Sequence, residues 1–279
     1  MTSNPFEGLE DQTPLGPLEA LRGLLDSAKR GWVPIRNRFV QQPPGSATRS
    51  AVLAQFVTNR QERALDALLT LHALQPVLAT GPLPLGAWAN ILSTRAPCSS
   101  PTASRTFRVL DDMGLLTRER AGHATTFTPL LEDGSREPWA RPGSRHKPSD
   151  NYFILPHEFF TEGYIDRLRL PGKAMLLIML KETQIDPLFS MAVDRAPSWY
   201  GISERTAERG YAELKEENLL DIHIQRMASP RLPSGVLRVV YHRALRGPFS
   251  TSRRAKLQRA ASRAASRGLR TGASTEGGL

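Results

Sequence analysis

Apolar positions recur with helical spacing in two separate parts of the chain. A first helix is predicted to begin near Ser50 and to end before Pro76, because proline cannot continue a helix. Its core-facing stripe follows the i, i+3, i+4, i+7 pattern and consists of Leu65, Leu68, Leu69 and His72. A second helix, KAMLLIMLKET, opens at Pro171 and is the most apolar helical segment of the sequence.

The second of these helices is followed by a short helix, a turn, a third helix and a hairpin. MAVDRAPSWYG predicts the short helix and a turn at Gly201, and Ser203 is a suitable N-cap for the helix in ISERTAERGYAELKEENLL. Asn218 suits the end of that helix, where a left-handed residue is often needed. DIHIQRM and GVLRVVYH then predict two strands. The inward face of the third helix repeats at i, i+4, i+7 and comprises Ala207, Tyr211 and Leu214.

The first helix is followed by the same order of elements. LGAWANIL predicts the short helix, APCSS the turn, PTASRTFRVLDDMGLL the third helix and LTRERAGHATTFTPL the hairpin. An offset of 104 positions relates the two third helices without a gap. It superposes Ser99 on Ser203, Thr102 on Thr206, Arg105 on Arg209 and Leu110 on Leu214. Two copies in register are a stronger signal than one.

This order of elements predicts two tandem winged helix-turn-helix modules, in a fold that is mainly α with small β-hairpin wings (α+β). A segment rich in proline, glycine and charge separates them. The predicted units are an N-terminal arm with a short helix (1–50), the first module (51–130), a linker (131–150), the second module (151–249) and a tail (250–279).

The exposed N-terminal side chains of a third helix can enter the major groove of duplex DNA, where Arg pairs with guanine and Ser or Thr with phosphates or base edges. The predicted DNA-contacting residues of the two third helices are Ser99, Ser100, Thr102, Arg105 and Arg108 in the first module and Ser203, Arg205, Thr206 and Arg209 in the second. The wings are predicted to hold flanking phosphates or a minor groove through Arg118, Arg120 and His123 in the first module and through Arg226, Arg231 and Arg238 in the second.

The net charge of +10 is concentrated in the tail, where residues 250–279 hold seven Lys or Arg and one acidic residue. Arg259, Arg263 and Arg267 lie at i, i+4, i+8 and would form one basic stripe on a helix. Because large apolar residues are few there, we expect the tail to be disordered until it meets a polyanion, to which it would add affinity without specificity. A solubilising tail is the alternative.

No constellation of catalytic residues is found, so we expect a protein that is not an enzyme and that uses no cofactor or metal. There is no P-loop, no dinucleotide-binding glycine motif and no complete H-E-x-x-H motif, and Cys98 is the only cysteine. No apolar run is long enough to span a membrane, and the first residues do not resemble a signal peptide. A cytoplasmic, nucleoid-associated location is therefore expected.

Each module resembles a winged helix of bacterial transcription regulators, and SWYGISERTAERGYAELKEENLL resembles their turn and recognition helix. The tandem arrangement, over residues 51–130 and 151–245, is similar to that of plasmid replication initiators, which bind repeated origin sites. The leading hypothesis is sequence-specific binding of double-stranded DNA for transcriptional regulation; a homodimer is allowed but not required. Two alternatives stay open, namely a replication initiator of a plasmid or mobile element and a protein-interaction adaptor that uses its winged helices for docking.

Overall fold

The described fold combines α-helices with three two-stranded antiparallel sheets. A computed structural model of the 279-residue chain describes residues 13–28, 30–78, 80–121, 124–143 and 148–273. The α-helices are α1 (Pro17–Asp26), α2 (Asn37–Val40), α3 (Val52–Thr58), α4 (Glu62–Ala73), α5 (Gln75–Leu78), α6 (Leu85–Ile91), α7 (Ser100–Asp112), α8 (Glu158–Thr161), α9 (Tyr164–Arg167), α10 (Leu170–Glu182), α11 (Ala196–Tyr200), α12 (Glu204–Glu216) and α13 (Thr251–Ala273). The strands are β1 (Trp32–Arg36), β2 (Leu116–Ala121), β3 (Ala124–Pro129), β4 (Tyr152–Pro156), β5 (Leu220–Met227) and β6 (Arg238–Leu245). This mixture confirms the α+β class.

The strands β1 and β4 pair across a long stretch of sequence and lie inside the core. Their antiparallel register runs from Trp32 opposite Pro156 to Arg36 opposite Tyr152. Every residue of β1 is buried. The prediction of a mostly irregular arm over residues 1–50 is therefore wrong for β1 and α2, although the predicted short helix near its start is present as α1. A five-residue strand with a central proline gives little periodic signal, and its partner lies more than 100 positions away.

Helix α10 occupies the centre of the fold and is buried on all sides. All seven residues from Ala174 to Leu180 are buried, as the apolar sequence of this helix predicts. Helix α12 packs on α10, and α7 packs on α4. The predicted helix from Ser50 to Pro76 is interrupted at Arg60, whose φ of 54° separates α3 from α4.

The segment predicted as a linker packs against β1 where it is described. The guanidinium of Arg36 donates to Glu132 at 2.8 Å and to the carbonyl of Ala140 at 2.6 Å, and it also pairs with Asp150 at 2.9 Å. Arg36 and Glu132 are both buried. Because a buried charge is costly without a partner, this network fixes these parts of the segment on the ribbon of β1 and β4.

The C-terminal tail is helical, so the prediction of a disordered tail is wrong for Thr251–Ala273. Arg254 is 3% exposed and donates hydrogen bonds to the carbonyls of Leu180, Thr183 and Phe249 at 2.7–3.0 Å. The first two carbonyls lie at the C-terminal end of α10, where backbone acceptors lack helical partners. Arg254 thus anchors the start of the tail to the core, and Arg253 adds an ion pair with Glu158 at 2.9 Å. In the described ranges, no helix has the length and apolarity needed to cross a membrane.

Candidate nucleic-acid interface

Helices α7 and α12 begin in the same way. The hydroxyl of Ser99 accepts from the backbone N–H of Thr102 at 3.4 Å, and that of Ser203 accepts from Thr206 at 3.2 Å. In each helix the two hydroxyls also lie within hydrogen-bond distance, at 3.0 and 2.9 Å. Ser203 is therefore an N-cap, as predicted, and Ser99 is the equivalent N-cap of α7. Each cap presents a pair of hydroxyls at the helix N-terminus.

The inward faces of α7 and α12 are also equivalent at the offset of 104 positions. The predicted inward residues of α12, Ala207, Tyr211 and Leu214, are all buried, and so are their equivalents in α7, Ala103, Phe107 and Leu110. Each helix has 13 residues. The inward face fixes which side chains remain available to a partner.

Both helices end on a left-handed residue that turns the chain into a hairpin. Gly114 has a φ of 73° and Asn218 a φ of 55°, so Asn218 has the conformation expected of it. The hairpin strands β2 and β5 start at equivalent positions, Leu116 and Leu220. Similar signals at both ends of the two helices therefore produce the same geometry.

The outer face of α7 is basic over its first three turns. Arg105 and Arg108 are exposed, Ser99 is exposed, and Ser100 and Thr102 are half-buried. A guanidinium nitrogen of Arg105 lies 3.5 Å from the hydroxyl of Thr102. The acidic residues of this helix lie only in its last turn. The structure thus brings the predicted residues of the first module together on one helix start.

The outer face of α12 carries a mixed charge. Arg205 and Arg209 are exposed, as are Glu204 and Glu208 beside them. Thr206 is half-buried. Carboxylates repel phosphates, so α12 offers a duplex a less favourable surface than α7 does.

The first hairpin carries two of the predicted arginines on β2. Arg118 contacts the carboxylate of Asp111 at 2.9 Å, and this ion pair ties β2 to the end of α7. Arg120 is exposed near the tip of the hairpin. His123, at the tip itself, lies outside the described residues.

The second hairpin is longer, and its predicted arginines project from it. Arg226, Arg231 and Arg238 are all exposed. The base of this hairpin is fixed to α12 by Arg243, which is buried, donates to the carbonyl of Met191 at 3.0 Å and stands 3.9 Å from the centre of the Tyr211 ring.

One face of the second hairpin carries a cluster of exposed apolar side chains beside Arg226, which sequence reasoning missed. Ile224 is opposite Tyr241, and Arg226 is opposite Val239. The exposed apolar residues on this face are Ile222, Ile224, Val239 and Tyr241. Strict alternation places them together, so the strand pattern contained the signal.

Of the three predicted tail arginines, Arg259 and Arg263 are exposed on α13. The side chain of Arg267 lies outside the described residues. Neither Arg259 nor Arg263 belongs to the anchor, which is formed by Arg254.

A buried ion pair joins α10 to α4, the two helices on which α12 and α7 pack. Lys173 of α10 donates to Asp66 of α4 at 2.8 Å and to Glu62 at 2.9 Å, and Lys173 is only 1% exposed. Burial raises the pKa of Asp66 to about 6, although the charge of Lys173 opposes this shift. Since α7 packs on α4 and α12 on α10, this pair links the supports of both candidate recognition helices.

The first strands of the two halves are related by a local two-fold axis. Trp32 and Tyr152 open β1 and β4 and stack with ring centres 6.2 Å apart. Pro34 and Ile154 occupy the third position of their strands and are register partners. When equivalent positions of two antiparallel strands face each other, a two-fold axis passes between them.

Among the described residues, no group of three or more His, Cys, Asp or Glu could hold a metal ion. His223 and His242 are register partners in the second hairpin. The ring nitrogens of His242 lie 2.8 Å from the hydroxyl of Ser190 and 2.7 Å from the side-chain oxygen of Gln225.

Comparisons of this chain with protein-family models, with curated proteins and with solved structures found no match.

Proposed function

We propose that this chain binds double-stranded DNA sequence-specifically through two winged-helix modules and regulates transcription. The observation that carries the proposal is the repeat of one unit, in which a capped helix with an outer face containing Ser, Thr and Arg ends on a left-handed residue and continues into a hairpin. A helix of this kind fits the major groove, and its N-terminal side chains reach the base edges.

The two modules have different parts in this proposal. Helix α7, with Arg105 and Arg108 and no carboxylate before its last turn, supplies most of the base contacts. Helix α12, with its alternating Arg and Glu, reads a second segment more weakly. The wings and the exposed arginines of α13 hold phosphates, which raises affinity for every sequence.

The two-fold relation of β1 and β4 leads to an expectation about the DNA site. If each module keeps its orientation to its own first strand, the two recognition helices are related by the same axis. Two-fold-related helices read inverted half-sites. We therefore expect a bipartite motif with inverted halves, which one chain can cover without dimerisation.

The test is in-vitro selection from a random duplex library at physiological salt with the full chain. We expect one inverted bipartite motif. Arg105→Ala should relax the preference at one position and weaken binding by about 1–3 kcal/mol if Arg105 pairs with a guanine. Arg195→Ala is the matched control, because Arg195 is exposed outside both third helices and hairpins. No enrichment with the full chain would refute the proposal.

The contribution of the tail should be tested by substitution and not by truncation at residue 249. Truncation would remove Arg254 and expose the end of α10. Arg259→Gln with Arg263→Gln keeps the anchor. A plot of log affinity against log salt has a negative slope. Each phosphate that a side chain no longer neutralises reduces the magnitude of that slope by about 0.9. We therefore expect a slope smaller by up to about 1.8 in the double variant, with an unchanged motif.

The genomic positions of the selected motif would distinguish a regulator from a replication initiator. Sites at single promoters fit the regulator, whereas repeats clustered at one origin fit the initiator.

A protein-interaction adaptor is the second candidate, and the apolar face of the second hairpin favours it. That face exposes Ile222, Ile224, Val239 and Tyr241 to solvent. Exposed apolar patches often mark protein contacts. The adaptor function predicts no motif in the selection experiment and loss of a binding partner on Ile224→Lys.

A further inference from the structure

A cavity of about 370 Å³ lies where α4, β1 and the segment after β3 meet. Its position is separate from the outer faces of α7 and α12. The residues of the cavity wall that matter here are Arg30, Trp32, His72, Trp139, Arg141 and His157. The volume is at the small end of the range of ligand pockets, about 300–1,000 Å³.

Two residues of the cavity wall, His72 and Trp32, carry buried polar atoms that have no partner among the described residues. They are both ring nitrogens of His72 and the indole nitrogen of Trp32. His72 is 4% exposed and Trp32 is 7% exposed. A buried donor or acceptor without a partner costs roughly 1–3 kcal/mol, so three such atoms around one cavity are unusual.

His72 is neutral in this position. Burial lowers the pKa of its imidazole, although the nearby carboxylate of Glu132 acts in the opposite direction. A neutral imidazole has one N–H donor and one acceptor. Together with the N–H of Trp32, the wall therefore has two donors and one acceptor to satisfy.

Two guanidinium groups give the cavity a positive charge. Arg30 and Arg141 both line it, and burial together with the like charge of Arg30 lowers the pKa of Arg141 to about 10. None of the described residues that line the cavity is Asp or Glu. The guanidinium of Arg141 stands 5.2 Å from the centre of the Trp32 ring.

The remaining wall is aromatic and fixed in place. The indole N–H of Trp139 donates to Glu132 at 3.3 Å, and its ring lies 5.6 Å from that of His72. Glu132 is itself held by Arg36. A flat apolar group between such walls would bury its faces, while a simple inorganic anion would leave them uncovered.

We propose that this cavity binds a small planar organic anion of the aromatic carboxylate class. Its carboxylate contacts Arg30 and Arg141, and its ring lies against Trp139. The site is formed by parts of the chain other than the candidate DNA-contacting residues. It therefore does not depend on the proposed function, and its test needs no DNA.

The test is titration calorimetry of the full chain with indole-3-carboxylate as the probe and indole-3-carboxamide as its uncharged counterpart. We expect the carboxylate to bind at least tenfold more tightly than the carboxamide. Arg141→Gln and Arg30→Gln should each weaken carboxylate binding at least tenfold. Arg30 is exposed, so its variant tests the site even if the Arg141 variant does not fold. Arg195→Gln is the control and should bind as the unchanged chain does.

A second measurement, by NMR, shows where indole-3-carboxylate binds. The indole N–H resonance of Trp32, assigned through Trp32→Phe, should shift on titration with the carboxylate. No binding of indole-3-carboxylate at millimolar concentration would overturn the proposal. Equal binding of the carboxamide would also overturn it, as would equal affinity for inorganic phosphate, which cannot use the aromatic walls.

Discussion

The packing of α12 on α10 depends on the absence of a side chain at Gly210. Gly210 is buried on the inner face of α12. A Cβ atom added there would stand 2.8 Å from the Cβ of Met175, and closer still to the Met175 Cγ and to the carbonyl oxygen of Pro171. Two of these three atoms are backbone or attached directly to it, so they cannot move aside as the end of a long side chain can.

The expected effect of Gly210→Ala follows from two opposing terms. In an exposed helix, replacing Gly by Ala stabilises by about 1 kcal/mol. At Gly210 the same change forces α12 away from α10, and overpacking of a core costs about 1–3 kcal/mol, occasionally more. We expect the clash to dominate, with a net loss of roughly 1–3 kcal/mol and a Tm lowered by roughly 2–12 °C.

Gly23→Ala is the matched control, because Gly23 lies within α1 with no atom within 4 Å of an added Cβ. Urea denaturation followed by circular dichroism should show Gly23→Ala as stabilised by about 0.4–1 kcal/mol and Gly210→Ala as destabilised. If Gly210→Ala were as stable as Gly23→Ala, α12 would not lie against α10 at the described distance.

Substitutions at Lys173, Arg254 and Asn218 test the buried polar contacts and the helix end. Lys173→Met leaves Asp66 buried without its cation, so urea denaturation should show a loss of about 3–5 kcal/mol at pH 7.5. The loss should be smaller at pH 5, because Asp66, whose folded-state pKa is about 6, then takes up a proton. Arg254→Met should reduce the helical circular dichroism signal of the tail, whereas Arg253→Gln should not. Asn218→Gly should leave Tm within a few degrees, whereas Asn218→Val should lower it, because a β-branched residue is strained at positive φ.

The pH dependence at Asp66 has a definite sign. The pKa is raised in the folded state, so the protonated form stabilises the fold below about pH 4, and that contribution is lost as pH rises through about 6. An equal loss in Lys173→Met at both pH values would contradict this expectation. An unchanged spectrum for Arg254→Met would show that other contacts hold α13.

Local signals in the sequence predicted the parts of the fold that depend on local physics. The serine caps, the inward positions of α7 and α12 and the left-handed Asn218 each follow from a few neighbouring residues. The burial of Arg254 does not, because its acceptors at the end of α10 are carbonyls about 70 positions earlier. A basic residue in a basic segment gives no indication that it is buried.

The cavity was also beyond prediction from the sequence, for a related reason. His72 fits the core-facing stripe of its helix, and its buried position agrees with that stripe. The lack of partners for its ring nitrogens depends on the neighbouring parts of the chain. These are β1, which contributes Trp32 to the cavity wall, and the segment predicted as a linker, which contributes Trp139. Those parts of the chain come together through the packing of α4 on β1 and the hydrogen bonds of Arg36 to Glu132 and Ala140.

A comparison of the two halves of the sequence at one fixed offset finds only part of the repeat, because the halves differ in length. The third helices and the starts of their hairpins are related by 104 positions, whereas Trp32 and Tyr152 at the starts of β1 and β4 are 120 apart. The chain between strand and third helix is thus 16 residues longer in the first half, and an alignment without gaps loses the relation there. The repeat also includes the first strand of each half and the short helix that follows it. That helix buries Phe39 in one half and Phe159 in the other. Because the two halves pair through these strands, the ribbon contributes buried residues of both halves to one core.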